Sequence, residues 1–174
     1  MTKICDEKIA NCNENIFGNW ITKNITLNEI PFKHCIIDNF LNEEIYQIIY
    51  NTFPEKPDNN FHKYLNPIEV KYAIDDFKYI DNEIVNFFLA LSSDKLINKF
   101  ENLFNIEDLE YDPHLHGAGV HMHPRNGRLN MHLDYEKHPL MNKQRRLNII
   151  YYVNKEWKTE WNGDTQLWDQ NMQN

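Results

Sequence analysis

At Leu109 the apolar pattern of this chain changes period, and that change limits the folds open to it. Ahead of Leu109, apolar residues recur at helical spacing. Ile45, Ile48, Ile49 and Phe53 form one run at about 42–53, Ile84, Phe87, Phe88 and Leu91 a second, and Ile97, Phe100 and Phe104 a third. Glu43 and Glu44 stand where a helix dipole favours anions, and Pro54 stops the first helix. Asp81 and Ser92-Ser93-Asp94 offer caps for the other two. From Leu109 onward, strand-length pieces at about 109–112, 117–123, 128–134, 146–153 and 164–168 alternate with turns carrying Gly117, Gly119, Gly127 and Gly163. Residues 70–74 predict a further strand, 31–40 a short strand running into a turn, and 54–68, with three prolines, a loop. Helices followed by an antiparallel β portion make an α+β chain.

At 174 residues there is room for one domain with a sizeable core. Residues 1–30 are polar and rich in asparagine, an irregular arm that packs through Trp20; the domain proper is expected over 31–174. The net charge of −8 argues against a general electrostatic grip on nucleic acid or an anionic membrane. Arg125, Arg128, Lys143, Arg145 and Arg146 nevertheless make one segment locally positive, either a solvated loop or a site that receives an anion. Cys5, Cys12 and Cys35 lack metal-like spacing, and their odd number fits reduced thiols better than a disulfide framework. With no signal-peptide pattern in residues 1–30 and no membrane-length apolar run, a soluble cytoplasmic protein is expected.

The chemistry concentrates in Leu129-Asn130-Met131-His132-Leu133-Asp134. In a strand, residues two apart point to one face, so His132 and Asp134 can reach one ion. An imidazole and a carboxylate supply two of the three ligands in the facial site of non-haem Fe(II) oxygenases. The plain alternative for His132 is a buried histidine hydrogen-bonded to a neighbour. His114, His116, His121 and His123 lack a cysteine or carboxylate at zinc-like spacing and read as surface or supporting histidines. His138, ahead of Pro139 in a loop, is expected at the surface.

The blocks around the pair, in their order, are similar to the Fe(II)/2-oxoglutarate-dependent dioxygenases, in particular the prolyl 4-hydroxylase-like branch. They are His132-Leu133-Asp134, Arg145-Arg146-Leu147-Asn148, Tyr151-Tyr152-Val153-Asn154, Trp157 and Gly163-Asp164-Thr165-Gln166-Leu167-Trp168. Phe32–Leu41 also resembles the family's opening strand and first helix, so the likeness covers most of 31–169. The resemblance implies N-terminal helices packed on a double-stranded β-helix (jelly-roll). It also implies hydroxylation of a C–H bond coupled to decarboxylation of 2-oxoglutarate, with Fe(II), 2-oxoglutarate and O2 as cofactors and ascorbate as a candidate addition. By position, His132 and Asp134 match iron ligands. Tyr152 matches a tyrosine whose hydroxyl helps bind the far carboxylate of 2-oxoglutarate, a task suited to a phenol on an apolar wall; the competing reading is an ordinary strand aromatic. Thr165 falls where relatives place an apolar residue against the cosubstrate, and Leu129 and Met122 are further wall candidates.

After Trp168 the sequence has no counterpart of the family's distal histidine or of its basic 2-oxoglutarate-binding residue. The expectation is therefore a jelly-roll incomplete at its C-terminal end, whose open edge favours self-association or completion by another chain. Two functions follow. One is a hydroxylase acting on peptidyl-proline or a small molecule; the other is a catalytically inactive, oxygenase-like remnant or binding module.

Overall fold

The computed structural model describes residues 16–169 and Asn171. The described residues fall into two compact units, one drawn from those within Met1–Thr52, Asn82–His114 and Asp164–Asn174, the other from Phe53–Asp81 and Leu115–Gly163. Cys5 and Cys12 lie outside the described residues. No helix among these residues is long and apolar enough to cross a membrane.

The first unit holds three helices: α1 (Glu43–Thr52), α2 (Asn82–Ala90) and α3 (Asp94–Phe104). Local signals bound α1 and α3, although Ser93, at the N-cap position of α3, makes no side-chain capping bond. The Asn42 side chain accepts from the Ile45 amide at 2.9 Å, capping α1 ahead of Glu43 and Glu44. Asn105 takes a left-handed conformation (φ 52°) and ends α3 by donating its amide to the Glu101 carbonyl. The apolar faces of α2 and α3 are buried at Ile84, Phe87, Leu96 and Phe100. Trp20, in a 3-10 turn at Asn19–Thr22, stacks on Phe40 with centroids 4.9 Å apart and lies 6.2 Å from Phe100. Its indole Nε1 donates to the Phe40 carbonyl at 2.7 Å, so the one polar atom of a buried ring is satisfied.

The second unit is a four-stranded antiparallel sheet: β1 (His62–Leu65), β2 (Glu69–Ile74), β3 (Val120–Met122) and β4 (Arg128–Leu129). Strand β2 is central, pairing β1 along one edge and both β3 and β4 along the other. Two steps along β2, from Tyr72 to Val70, oppose six along its partner, from Met122 to Arg128, so four residues are looped out between β3 and β4. The excursion closes where Gly127 donates its amide to the Pro124 carbonyl at 2.7 Å, with Asn126 at φ 62°. Gly119 lies so close to β2 that a Cβ there would sit 2.5 Å from the Ile74 carbonyl oxygen.

The structure agrees with the α+β expectation and with the three helices, and departs from the sequence reading among the strands. Residues 62–65, read as loop, form β1. The hairpin is turned by Asn66, whose side chain accepts from the amides of Ile68 and Glu69, so the polar residues that suggest a loop are the turn itself. Residues 109–112, 146–153 and 164–168 carry no ladder, the strand expected over 128–134 ends at Leu129, and 31–40 contributes only an isolated bridge between His34 and Asn28. Strand-like composition marks a residue's preference, whereas a strand also requires a partner chain at the right register.

Candidate metal centre

Beyond the looped-out residues the chain is tied back to the β1–β2 turn. Asn130 donates its amide to the Ile68 carbonyl at 2.9 Å, and Arg128 Nη2 reaches the Asn66 carbonyl at 3.1 Å. Two residues on, His132 Nδ1 lies 2.8 Å from the Asn130 carbonyl oxygen. A carbonyl can only accept, so this contact places a proton on Nδ1, and Nε2 is the nitrogen through which the ring can bind a cation. His132 Nε2 faces Asp134 Oδ1 at 3.4 Å, and both side chains are 44% exposed. This exposure rules out the alternative of a buried structural histidine.

The other carboxylate oxygen is held elsewhere. Asp134 Oδ2 accepts from Asn148 Nδ2 at 3.1 Å and faces Arg145 Nη2 at 3.4 Å. Both residues return to Asp134 because the intervening loop closes on itself. The Arg145 amide donates to the Glu136 carbonyl at 2.7 Å, Lys137 bridges Gln144, and the His138 amide donates to the Lys143 carbonyl at 2.8 Å. The Arg145 guanidinium lies over the Tyr135 ring, 4.5 Å from its centroid, and the Tyr135 hydroxyl donates to the His116 carbonyl at 2.7 Å.

His138 departs from its expected place at the surface: it is 7% exposed. Its Nδ1 accepts from the amides of Leu140 at 3.1 Å and Met141 at 3.0 Å. The imidazole thus organises the turn after Pro139, as an N-cap side chain organises the start of a helix, and its ring packs against His116 with centroids 5.3 Å apart.

The remaining sequence candidates are spread out. Partners across a ladder share a face, so Leu129, opposite Glu69, lies on the opposite side of the sheet from Met122, opposite Tyr72. Tyr152 belongs to the same unit as His132 and is 58% exposed, whereas Thr165 belongs to the other unit. Alongside Leu129, Lys71 Nζ lies 3.0 Å from Glu69 Oε2, and this hydrogen bond holds the Glu69 carboxyl below the usual carboxylate range; His132 adds a smaller pull in the same direction. On the same face, neighbouring groups strip water from the rings of His121 and His123, although each keeps an exposed edge. Together with the Lys71 charge, this holds both below the ordinary histidine value.

The donor chemistry fits two adjacent positions of a metal site. Bonds of about 2.1 Å from a metal to nitrogen or oxygen put neighbouring donors of an octahedron about 3 Å apart, so a 3.4 Å gap closes with a small movement of either side chain. Among the described residues, no group of three or more His, Cys, Asp or Glu side chains is arranged to hold a metal ion. The contribution of Arg145 and Asn148 was not read from the sequence. The signal lay in Arg145-Arg146-Leu147-Asn148, but a spacing of three places residues on opposite faces of a regular strand. No curated protein and no solved structure matches this chain. Residues 118–174 match the family model of the 2OG-Fe(II) oxygenase superfamily, and this match supports that superfamily for the segment carrying His132 and Asp134.

Proposed function

We propose that the chain is a 2-oxoglutarate-dependent hydroxylase of the prolyl 4-hydroxylase-like kind, with His132 and Asp134 as two of its three iron ligands. The observation that carries this reading is the facing of His132 Nε2 and Asp134 Oδ1 at 3.4 Å inside the segment matched by the oxygenase family. Iron bound there with 2-oxoglutarate and O2 would supply the oxidising power for hydroxylation, with succinate and CO2 as by-products. The protein's own part is positional. Asn130 sets the His132 tautomer, Asp134 brings a negative charge to the cation, and the Tyr152 phenol donates to the far carboxylate of 2-oxoglutarate. Leu129, in the same unit as His132, lines the apolar side of the cosubstrate. The substrate in this reading is a peptidyl-proline or a small molecule.

Purified protein given Fe(II), 2-oxoglutarate and O2 is expected to release succinate, and His132→Ala is expected to abolish that release. Succinate formation unchanged by His132→Ala would sink the proposal. A second reading, an oxygenase-like module without catalysis, is favoured by the lack of a three-donor group among the described residues. It predicts weak metal binding that survives His132→Ala.

A further inference from the structure

Asp134 divides its two oxygens between different tasks. Oδ1 faces His132 Nε2, while Oδ2 is engaged by the Asn148 amide at 3.1 Å and by the Arg145 guanidinium at 3.4 Å. From this division we infer that Asn148 is a positioning residue for the metal centre, reserving Oδ2 so that Asp134 presents Oδ1 alone to the cation. The inference rests on the proposed function and extends it to a residue that touches no donor atom of the site.

A carboxylate at an exposed position turns readily about its last torsion, which exchanges its two oxygens. Nothing in Asp134 itself distinguishes them. The distinction comes from donors on one side only: an amide N–H aimed at Oδ2, with a guanidinium beside it whose plane is steadied by the Tyr135 ring at 4.5 Å. Turning the carboxylate to offer both oxygens to one ion would break the Asn148 hydrogen bond. Asn148 suits the task better than a lysine would, because a neutral amide orients the carboxylate without drawing off its charge as a second cation does. Arg145 takes the accompanying part: at 3.4 Å it adds attraction, but with less directional control than the hydrogen bond. Metal-ligating carboxylates are generally held in this way by hydrogen bonds from outside the coordination sphere, and loss of such a partner typically weakens metal binding about 10–100-fold.

The test is Co(II) titration of the full chain, followed by visible absorption, which reports both affinity and coordination geometry. Asn148→Leu keeps the side-chain volume and removes the donor. It is expected to weaken Co(II) binding by about tenfold or more and to change the absorption envelope, while Asn148→Gln, which retains the amide, recovers part of the loss. In an Asp134→Ala background the same Asn148→Leu change is expected to add nothing, because the residue acts only through Asp134. Thermal unfolding without metal separates loss of fold from loss of positioning, and if Asn148→Leu does not fold, Asn148→Val, which also lacks a donor, serves in its place. Wild-type affinity in Asn148→Leu, or a loss that persists in the Asp134→Ala background, overturns the inference and leaves the proposed function standing. Absence of Co(II) binding, or binding indifferent to both His132→Ala and Asp134→Ala, overturns the proposed function and this inference with it.

Discussion

The aromatic core of the first unit and the segment around and beyond His132 in the second treat their apolar residues in opposite ways. In the first, Trp20, Phe40, Phe87 and Phe100 are buried in mutual ring contact, and Leu96 is 1% exposed. In the second, Leu133 is 97% exposed, Ile150 61%, and Trp157 and Trp161 are both more than half exposed. The first unit is held by burial, the dominant favourable contribution to folding. The segment around His132 is held instead by specific polar contacts, among them Asn130 to Ile68, Arg145 to Glu136 and His138 to Leu140 and Met141. A binding site needs this second kind of order, because side chains that hold a cation have to stay reachable.

The widest separation between the two kinds of order is expected in truncations. Trp20→Ala should destabilise the protein by about 3–5 kcal/mol through cavity formation, while Leu133→Ala should fall within about 0.5 kcal/mol of wild type, both by chemical denaturation. Equal losses would erase the contrast. A smaller effect is expected from His138→Ala, which deprives the Leu140 and Met141 amides of their acceptor; by analogy with capping side chains this costs about 0.5–2 kcal/mol, and hydrogen exchange at those two amides should speed up. The smallest effect concerns acidity. His121 and His123 titrate below the ordinary histidine value when folded, so the unfolded chain takes up protons first as the pH falls. Their contribution is therefore fully present above the unfolded histidine value, about 6.5, and is lost as the pH falls from there through the lower folded values. Replacing both with glutamine should flatten the dependence of the unfolding midpoint on pH in that window; an unchanged slope would assign it to other groups.

The helices were legible in the sequence because their signals are local. Apolar residues at helical spacing, acidic residues at the start of α1 and Pro54 beyond its end act within a few positions of one another. The closeness of His132 and Asp134 follows from a spacing of two, although residues 130–134 carry no ladder and the expected strand ends at Leu129. The strands were read less well because pairing is non-local. Nothing in residues 146–153 states whether a partner lies alongside, and β1 is short and runs into the Asn66-Pro67 turn that disguises it. His138 was misplaced because the neighbouring proline suggested an exposed loop, whereas the imidazole is the acceptor around which that loop folds. Asn148 stayed hidden because its role depends on where the 136–145 loop returns the chain.

The four residues looped out between β3 and β4 make a natural point for changing chain length. Their number enters neither the Tyr72–Met122 pairing nor the Val70–Arg128 pairing, since each is fixed by β2. Because the entropy of closing a loop grows slowly with its length, a short flexible epitope or a fluorophore-bearing peptide inserted beside Asn126 would leave the anchoring of Asn130 and the reach of His132 unaltered. The excursion therefore offers a handle on this half of the molecule, where a reporter can be mounted within a few residues of the chemistry without touching it.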